Sequence, residues 1–250
     1  MFDAKSVSRQ VVEWIAGYFH DNGSSDTKAI VGISGGKDST VVAALCLEAL
    51  GKERVLGVVM PNGVQADIEV SYEVCKLLDI PYLTINIAGA VQAICGAVGR
   101  AGIDGAFTKN NNAMLNIPAR VRMTVLYAIS GIIGGRVANT CNLSEDWVGY
   151  STKFGDAAGD FSPLSDLTVT EVKAIGRELK LPAELVDKTP EDGLSGKSDE
   201  ANLGFSYDEL DLYIRSGICE DEAVRVKIDN LHRLNMHKVS PMPAFRRICD

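Results

Sequence analysis

The apolar run Ala29-Ile30-Val31 breaks at residues 32–40 into Gly-Ile-Ser-Gly-Gly-Lys-Asp-Ser-Thr, and a second apolar stretch follows from Val41 to Leu50. A buried strand turning through glycines into a helix is the arrangement this spacing predicts. Adjacent glycines let the backbone approach an anion with no Cβ in the way. The helix that follows aims unpaired N–H groups and the positive end of its dipole at the same anion. Ser34, Ser39 and Thr40 add hydroxyl donors, and Asp38 places a carboxylate where a phosphate-bound cation would sit. These residues predict a nucleotide phosphate site, and they constrain the fold to one that presents a strand end and a helix start side by side.

The loop is not the commonest phosphate binder. The P-loop pattern needs four residues between its first glycine and Gly-Lys-[Ser/Thr]. Here Ile33, Ser34 and Gly35 separate Gly32 from Gly36-Lys37, and Asp38 stands where a hydroxyl residue belongs. The dinucleotide pattern G-x-G-x-x-G fails as well. The remaining string, Ser-Gly-Gly-x-Asp-Ser, resembles the pyrophosphate-binding loop of the ATP pyrophosphatases, which cleave ATP between its α and β phosphates.

Beyond the loop, strand-like runs alternate with helical ones: Val55–Met60, a helix from about Ala66 to Leu78, Pro81–Ile85, an apolar helix beginning near Asn116, and Arg136–Thr140. That alternation predicts an α/β fold: a Rossmann-like open parallel sheet with helices on both faces, with ligands beyond the strand C-termini. Residues 1–20 read as an amphipathic helix with Val12, Ile15, Ala16 and Phe19 on one face. Capping boxes at Thr168-x-x-Glu171 and Ser206-x-x-Glu209 announce helices over Val172–Leu179 and Leu210–Ile214, and Glu220 to Met236 reads as a last helix. Residues 189–202 and 105–113 lack an apolar period and read as long loops, the first a candidate lid.

Composition narrows the partners. With 250 residues and 46% hydrophobic content, the chain is expected to form one globular domain over 1–250. A net charge of −8 argues against a nucleic-acid partner. Six cysteines without a C-x-x-C pair read as reduced thiols, as in a cytoplasmic protein. With charges at Asp3, Lys5, Arg9 and Glu13 no signal peptide is expected, and the most apolar stretch, Met123 to Gly135, is too short to span a membrane. No membrane partner is expected.

Further strings fall in order along the chain: Asn116-Ile-Pro-Ala-Arg-Val-Arg-Met123, then Thr140, Glu145, Gly149-Tyr-Ser-Thr-Lys-Phe-Gly-Asp156, Asp160, Pro163-Leu164 and His237-Lys238. This set resembles the ammonia-dependent NAD synthetases over nearly the whole chain. The resemblance implies that Gly32, Ile33, Ser34, Gly35, Gly36, Lys37, Asp38 and Ser39, with Thr140, bind ATP. It implies that Asp38 and Glu145 hold Mg²⁺, and that Arg120, Lys153, Asp160, His237 and Lys238 hold deamido-NAD. It further implies a homodimer in which no protein nucleophile acts and the nicotinate carboxylate is adenylated before ammonia attacks. About 28 residues precede the first strand, so no amidase domain is expected there; free ammonia is the expected donor, or a separate glutaminase delivers it.

Two positions depart from the family pattern. Val169 stands where a lysine contacting ATP is usual, and Glu191 where a Ser or Thr follows Lys-x-Pro. Lys37 in the loop, or Lys197, could supply the missing charge. Two other readings therefore stay open: the same adenylation chemistry on a different carboxylate, and a nucleotide sensor without turnover.

Overall fold

The four-stranded sheet is parallel throughout, in the order β3-β2-β1-β4. The computed structural model describes residues 2–102, 112–187 and 199–247. In chain order the elements are α1 (Ala4–Asn22), β1 (Ala29–Gly32), α2 (Lys37–Leu50), β2 (Val55–Val59), α3 (Ile68–Leu77), β3 (Tyr82–Thr84), α4 (Ala88–Arg100), α5 (Asn112–Ile133) and β4 (Arg136–Val137). There follow α6 (Leu143–Val148), α7 (Val169–Glu178), α8 (Ala183–Val186), α9 (Asp199–Leu203), α10 (Tyr207–Ser216) and α11 (Glu222–Asn235).

Alternation along the strands divides the core, because neighbouring side chains point to opposite sheet faces. Ala29, Val31, Val55 and Val59 pack with Ile15 and Phe19 of α1, Val41, Val42 and Leu45 of α2, and Val172 and Ile175 of α7. Ile30, Val58 and Val137 face the other way, against Val91 of α4 and Val121, Leu126 and Ile129 of α5. The expected doubly covered sheet is therefore present. A third apolar cluster lies beside the sheet, where Val148 of α6 and Val169 of α7 meet Tyr207, Leu210 and Ile228 of α10 and α11. Among the described residues no helix is long and apolar enough to cross a membrane.

Several boundaries differ from the sequence expectation. The helix expected over 41–50 starts at Lys37, because Gly36 has extended backbone and already accepts the Thr40 amide at 3.2 Å. Half of the phosphate motif is thus the first helical turn. The helix expected near Asn116 starts at Asn112, which carries Pro118 inside it at the cost of one backbone hydrogen bond. The helix expected from Val172 starts at Val169 and the one from Leu210 at Tyr207; both predicted capping boxes form. In α1, Ile15 and Phe19 are buried but Ala16 is exposed, the buried face running through Ser8 instead. The candidate lid at 189–202 lies outside the described residues up to 198, and its last residues begin α9; of the 105–113 loop, 105–111 lie outside and Asn112 is helical.

The sheet order places the loops after β1 and β4 next to each other. β1 pairs with β2 on one side and with β4 on the other (Ile30 opposite Val137), so the strand order reverses here. Such a switch point opens a crevice beyond the strand ends. At the far end of the crevice Gly149, the left-handed cap of α6 (φ 66°), packs so tightly on α11 that an added Cβ would lie 2.0 Å from Asn235 Cβ. Gly149→Ala is expected to lower stability by about 2–4 kcal/mol, measured by urea unfolding; a loss near zero would contradict this docking of α11.

Candidate functional site

The phosphate loop is set by three local features. Ile33 extends the β1 register, its amide donating to the Val58 carbonyl at 2.9 Å. Gly35 then turns with φ 79°, and a Cβ there would press on Val70 and the Ser71 backbone at 3.2 Å, so both conformation and packing on α3 require glycine. Finally Ser39 ties the loop to the helix: its Oγ accepts from the Ser34 amide at 3.3 Å and donates to the Gly36 carbonyl at 3.1 Å. Thr40 Oγ1 donates to the same carbonyl at 2.8 Å. Gly36 offers no side-chain cap, so the first amides of α2 are left for an anion.

Across the switch point, α6 opens with a capping box that the sequence reading passed over. Asn142 Oδ1 accepts the Glu145 amide at 3.1 Å, and a Glu145 carboxylate oxygen accepts the Asn142 amide at 3.3 Å. The Asn142 side-chain amide donates to Asp38 Oδ1 at 3.1 Å. One fully buried asparagine therefore joins the two expected cation ligands. The Asn-x-x-Glu spacing is the same signal that located the starts of α7 and α10, so the pattern was available at 142–145 as well.

The electrostatics of this junction are those of two neighbouring acids set against one buried ammonium, that of Lys37. Burial first, and the Asp38 carboxylate second, push the Glu145 carboxyl up to about 8; Lys37 pulls the other way. The Tyr207 phenol is also raised, by burial and then by Glu145, Asp199 and Asp38. Thr140 follows β4 at the same strand end. The donor set suits a hard divalent cation that takes two carboxylates and completes its shell with phosphate oxygens and water. Among the described residues there is no group of three or more His, Cys, Asp or Glu arranged to hold a metal alone.

The residues expected to hold a dinucleotide divide. Four of them converge on the loop after α6. Lys153 Nζ donates to the His237 carbonyl at 2.6 Å, and Lys238 Nζ donates to the Gly149 carbonyl at 2.6 Å, a reciprocal clamp between this loop and the segment after α11. Arg120 Nε donates to the Lys153 carbonyl at 3.1 Å. His237 Nδ1 donates to the Leu234 carbonyl at 2.9 Å. Asp160 is elsewhere: its carboxylate accepts the Val137 amide at 2.7 Å, beside β4 rather than beyond its end, and Tyr127 donates to it at 3.3 Å. Burial and the Asp160 charge raise the Tyr127 phenol to about 12.

The departing positions also find a place. Val169 is buried in the third apolar cluster, with its amide donating to Ser144 Oγ, so its side chain serves packing. Ser144 donates to Asp211 Oδ1 at 2.5 Å, and Asp211 Oδ2 accepts the Thr170 amide at 2.8 Å, tying α6 to the start of α7. Glu191 and Lys197 lie outside the described residues. Cys141 is buried, and its thiol is pushed well up by burial and then by the carboxylates around it, so it is no nucleophile.

Asp146, next to Glu145, has a buried Oδ1 without a hydrogen-bond partner among the described residues. Burial, then the Asp156 charge, raise its carboxyl from 3.8 to about 6. A raised carboxyl favours folding while protonated and loses that contribution as pH rises through about 6. Asp146→Asn is therefore expected to stabilise the protein by about 1 kcal/mol at pH 7.5 and by nothing near pH 4. Urea unfolding at both values checks this, and equal gains at both would contradict it.

Known proteins can be compared with this geometry. The NAD synthase family model matches residues 7–247. The NH(3)-dependent NAD(+) synthetase of Thermococcus sibiricus is 44% identical over 183 residues, which are 73% of this chain and 69% of that protein. Among solved structures, the NMN synthetase from Francisella tularensis superposes with a TM-score of 0.86 at 30% identity, covering 98% of this chain and all of that one. The NAD+ synthetase from Burkholderia pseudomallei gives a TM-score of 0.78 at 28% identity, covering 95% and 90%.

Proposed function

The chain belongs to the NAD synthase family, ligases that form a C–N bond, and we propose that it amidates deamido-NAD with ammonia, consuming ATP and releasing AMP and pyrophosphate. The observation that carries this reading is the Asp38–Asn142–Glu145 junction facing the uncapped start of α2. ATP is read as lying with its phosphates on residues 32–39, near Thr140. Asp38 and Glu145 are read as the protein ligands of Mg²⁺, which when bound offsets phosphate charge. The first amides of α2 would stabilise negative charge on the departing pyrophosphate without reorganising.

The substrate carboxylate attacks the α-phosphorus, the bond to the pyrophosphate oxygen breaks, and a mixed anhydride forms. Ammonia then adds to the activated carbonyl, loses a proton, and expels AMP. This chain's part is to align the reactants and to exclude water from the anhydride. Arg120, with Nε committed to the Lys153 carbonyl, keeps the rest of its guanidinium for the dinucleotide. Lys153 and Lys238 each spend one ammonium N–H on the loop carbonyls and keep the others for the substrate. Asp160 is assigned to the same substrate from its place beside β4, next to Tyr127.

A homodimer, with substrate bound between subunits, belongs to this reading. Its support is the exposed apolar side chains on α5 and in the loop after α6, Tyr127, Ile132, Ile133 and Phe154. The same reading takes the protein to be cytoplasmic, with ammonia arriving free or from a separate glutaminase.

A second reading has its own observation. The Francisella neighbour is an NMN synthetase and matches over its full length, so nicotinate mononucleotide, the acid form of NMN, is the competing substrate. Purified protein with ATP, Mg²⁺ and ammonium should convert deamido-NAD to NAD with AMP and pyrophosphate in equal amounts, and kcat/KM should be higher than for nicotinate mononucleotide. The reverse ratio would select the mononucleotide, and ATP binding with no AMP formed would overturn the enzyme reading. Glu145→Gln is expected to lower kcat by about 10²-fold or more with the fold intact; unchanged kcat at saturating Mg²⁺ would remove Glu145 from the site.

A further inference from the structure

Lys37 occupies the variable position of Ser-Gly-Gly-x-Asp-Ser, and its surroundings give it a definite task. Its side chain is 2% exposed, and its ammonium donates to Asp38 Oδ2 at 2.8 Å. Lysine is almost never buried so completely without a partner, because the desolvated charge is costly. The ion pair with Asp38 compensates that burial directly, and Glu145 and Asp199 add to the negative charge around it. The other Asp38 oxygen is taken by Asn142. One buried cation thus faces the carboxylates of α2, α6 and α9 at the point where the proposed Mg²⁺ ligands meet.

We propose that Lys37 is the resident counter-ion of the cation site: its ammonium balances Asp38 and Glu145 before metal arrives and competes with the divalent cation for Asp38. Loading with cation and ATP then frees the ammonium to pair with a phosphate oxygen. The inference rests on the reading of Asp38 and Glu145 as cation ligands. It gives a positioning role to a residue whose place in the motif does not specify lysine. It also separates two effects that a purely structural lysine would not separate. Removing the charge should strengthen metal binding, because a competing cation is gone, and weaken ATP binding, because a phosphate partner is gone.

The test uses the full chain, metal-free, at a single pH, with Mn²⁺ binding followed by electron paramagnetic resonance and ATP binding by calorimetry at saturating Mg²⁺. Lys37→Met is expected to bind Mn²⁺ about tenfold more tightly and ATP about tenfold more weakly, while Lys37→Arg stays near wild type in both. Unchanged or weaker Mn²⁺ binding by a folded Lys37→Met protein overturns the proposal. The wild-type protein gives a second readout that does not depend on a variant folding. With labelled lysine, the Lys37 side-chain resonance should shift as Mg²⁺ is added without ATP, and a resonance that stays in place while Mg²⁺ binds overturns the proposal. Glu145→Gln distinguishes the two layers. If it binds Mn²⁺ as well as wild type, the ligand assignment fails and this inference with it. If it loses Mn²⁺ while Lys37→Met is unchanged, only the role of Lys37 fails.

Discussion

Two half-buried carboxylates from distant parts of the chain, Asp38 and Glu145, are brought together by one asparagine, whose side chain donates to Asp38 and whose backbone amide donates to Glu145. Bringing like charges together in a poorly screened place is unfavourable, and the raised Glu145 carboxyl expresses that cost. Three features offset it: the amide of Asn142, the buried ammonium of Lys37, and the helix starts of α2 and α6, whose dipoles favour negative charge. The remainder of the molecule can be understood as the scaffold that keeps this pair in register.

The sheet order does most of that work. With β1 central and β4 beside it, the turn after each strand opens into the same crevice, and each turn is followed by a helix whose first turn carries one member of the pair. Behind the crevice, Asp211 holds α6 and α7 through Ser144 and the Thr170 amide, so the orientation of Glu145 is tied to the third apolar cluster rather than to the sheet alone. On the far side, Gly149, Asn235 and the Lys153 and Lys238 clamp hold the loop after α6 against the last helix. The polar groups that would meet a substrate are thereby carried on elements already fixed by packing.

Much of this is legible in the residues. Alternating apolar runs gave the parallel sheet its two faces, and the Ser-Gly-Gly-x-Asp-Ser string marked the turn from β1 into α2 at the crevice. Thr168 and Ser206 were readable as caps because capping is a local event, complete within one turn. What the chain order hides is tertiary. Nothing near Asn142 says that its side chain reaches Asp38, and nothing near Asp160 says that it turns back to the Val137 amide. The start of α2 was misjudged for a physical reason: the apolar period begins at Val41, but the backbone turns helical as soon as Gly36 allows it. In sequence, Val169 reads as a lost nucleotide contact; in the fold it is a packing residue of the third cluster.

The central claim is that this junction activates a carboxylate by transferring an adenylyl group to it. Deamido-NAD labelled with ¹⁸O in both oxygens of its nicotinate carboxylate tests that most directly, with AMP and pyrophosphate analysed by mass spectrometry after one turnover. The account predicts one ¹⁸O in AMP and none in pyrophosphate, because the anhydride oxygen leaves with the adenylyl phosphorus. AMP free of label, with NAD still formed, would contradict it.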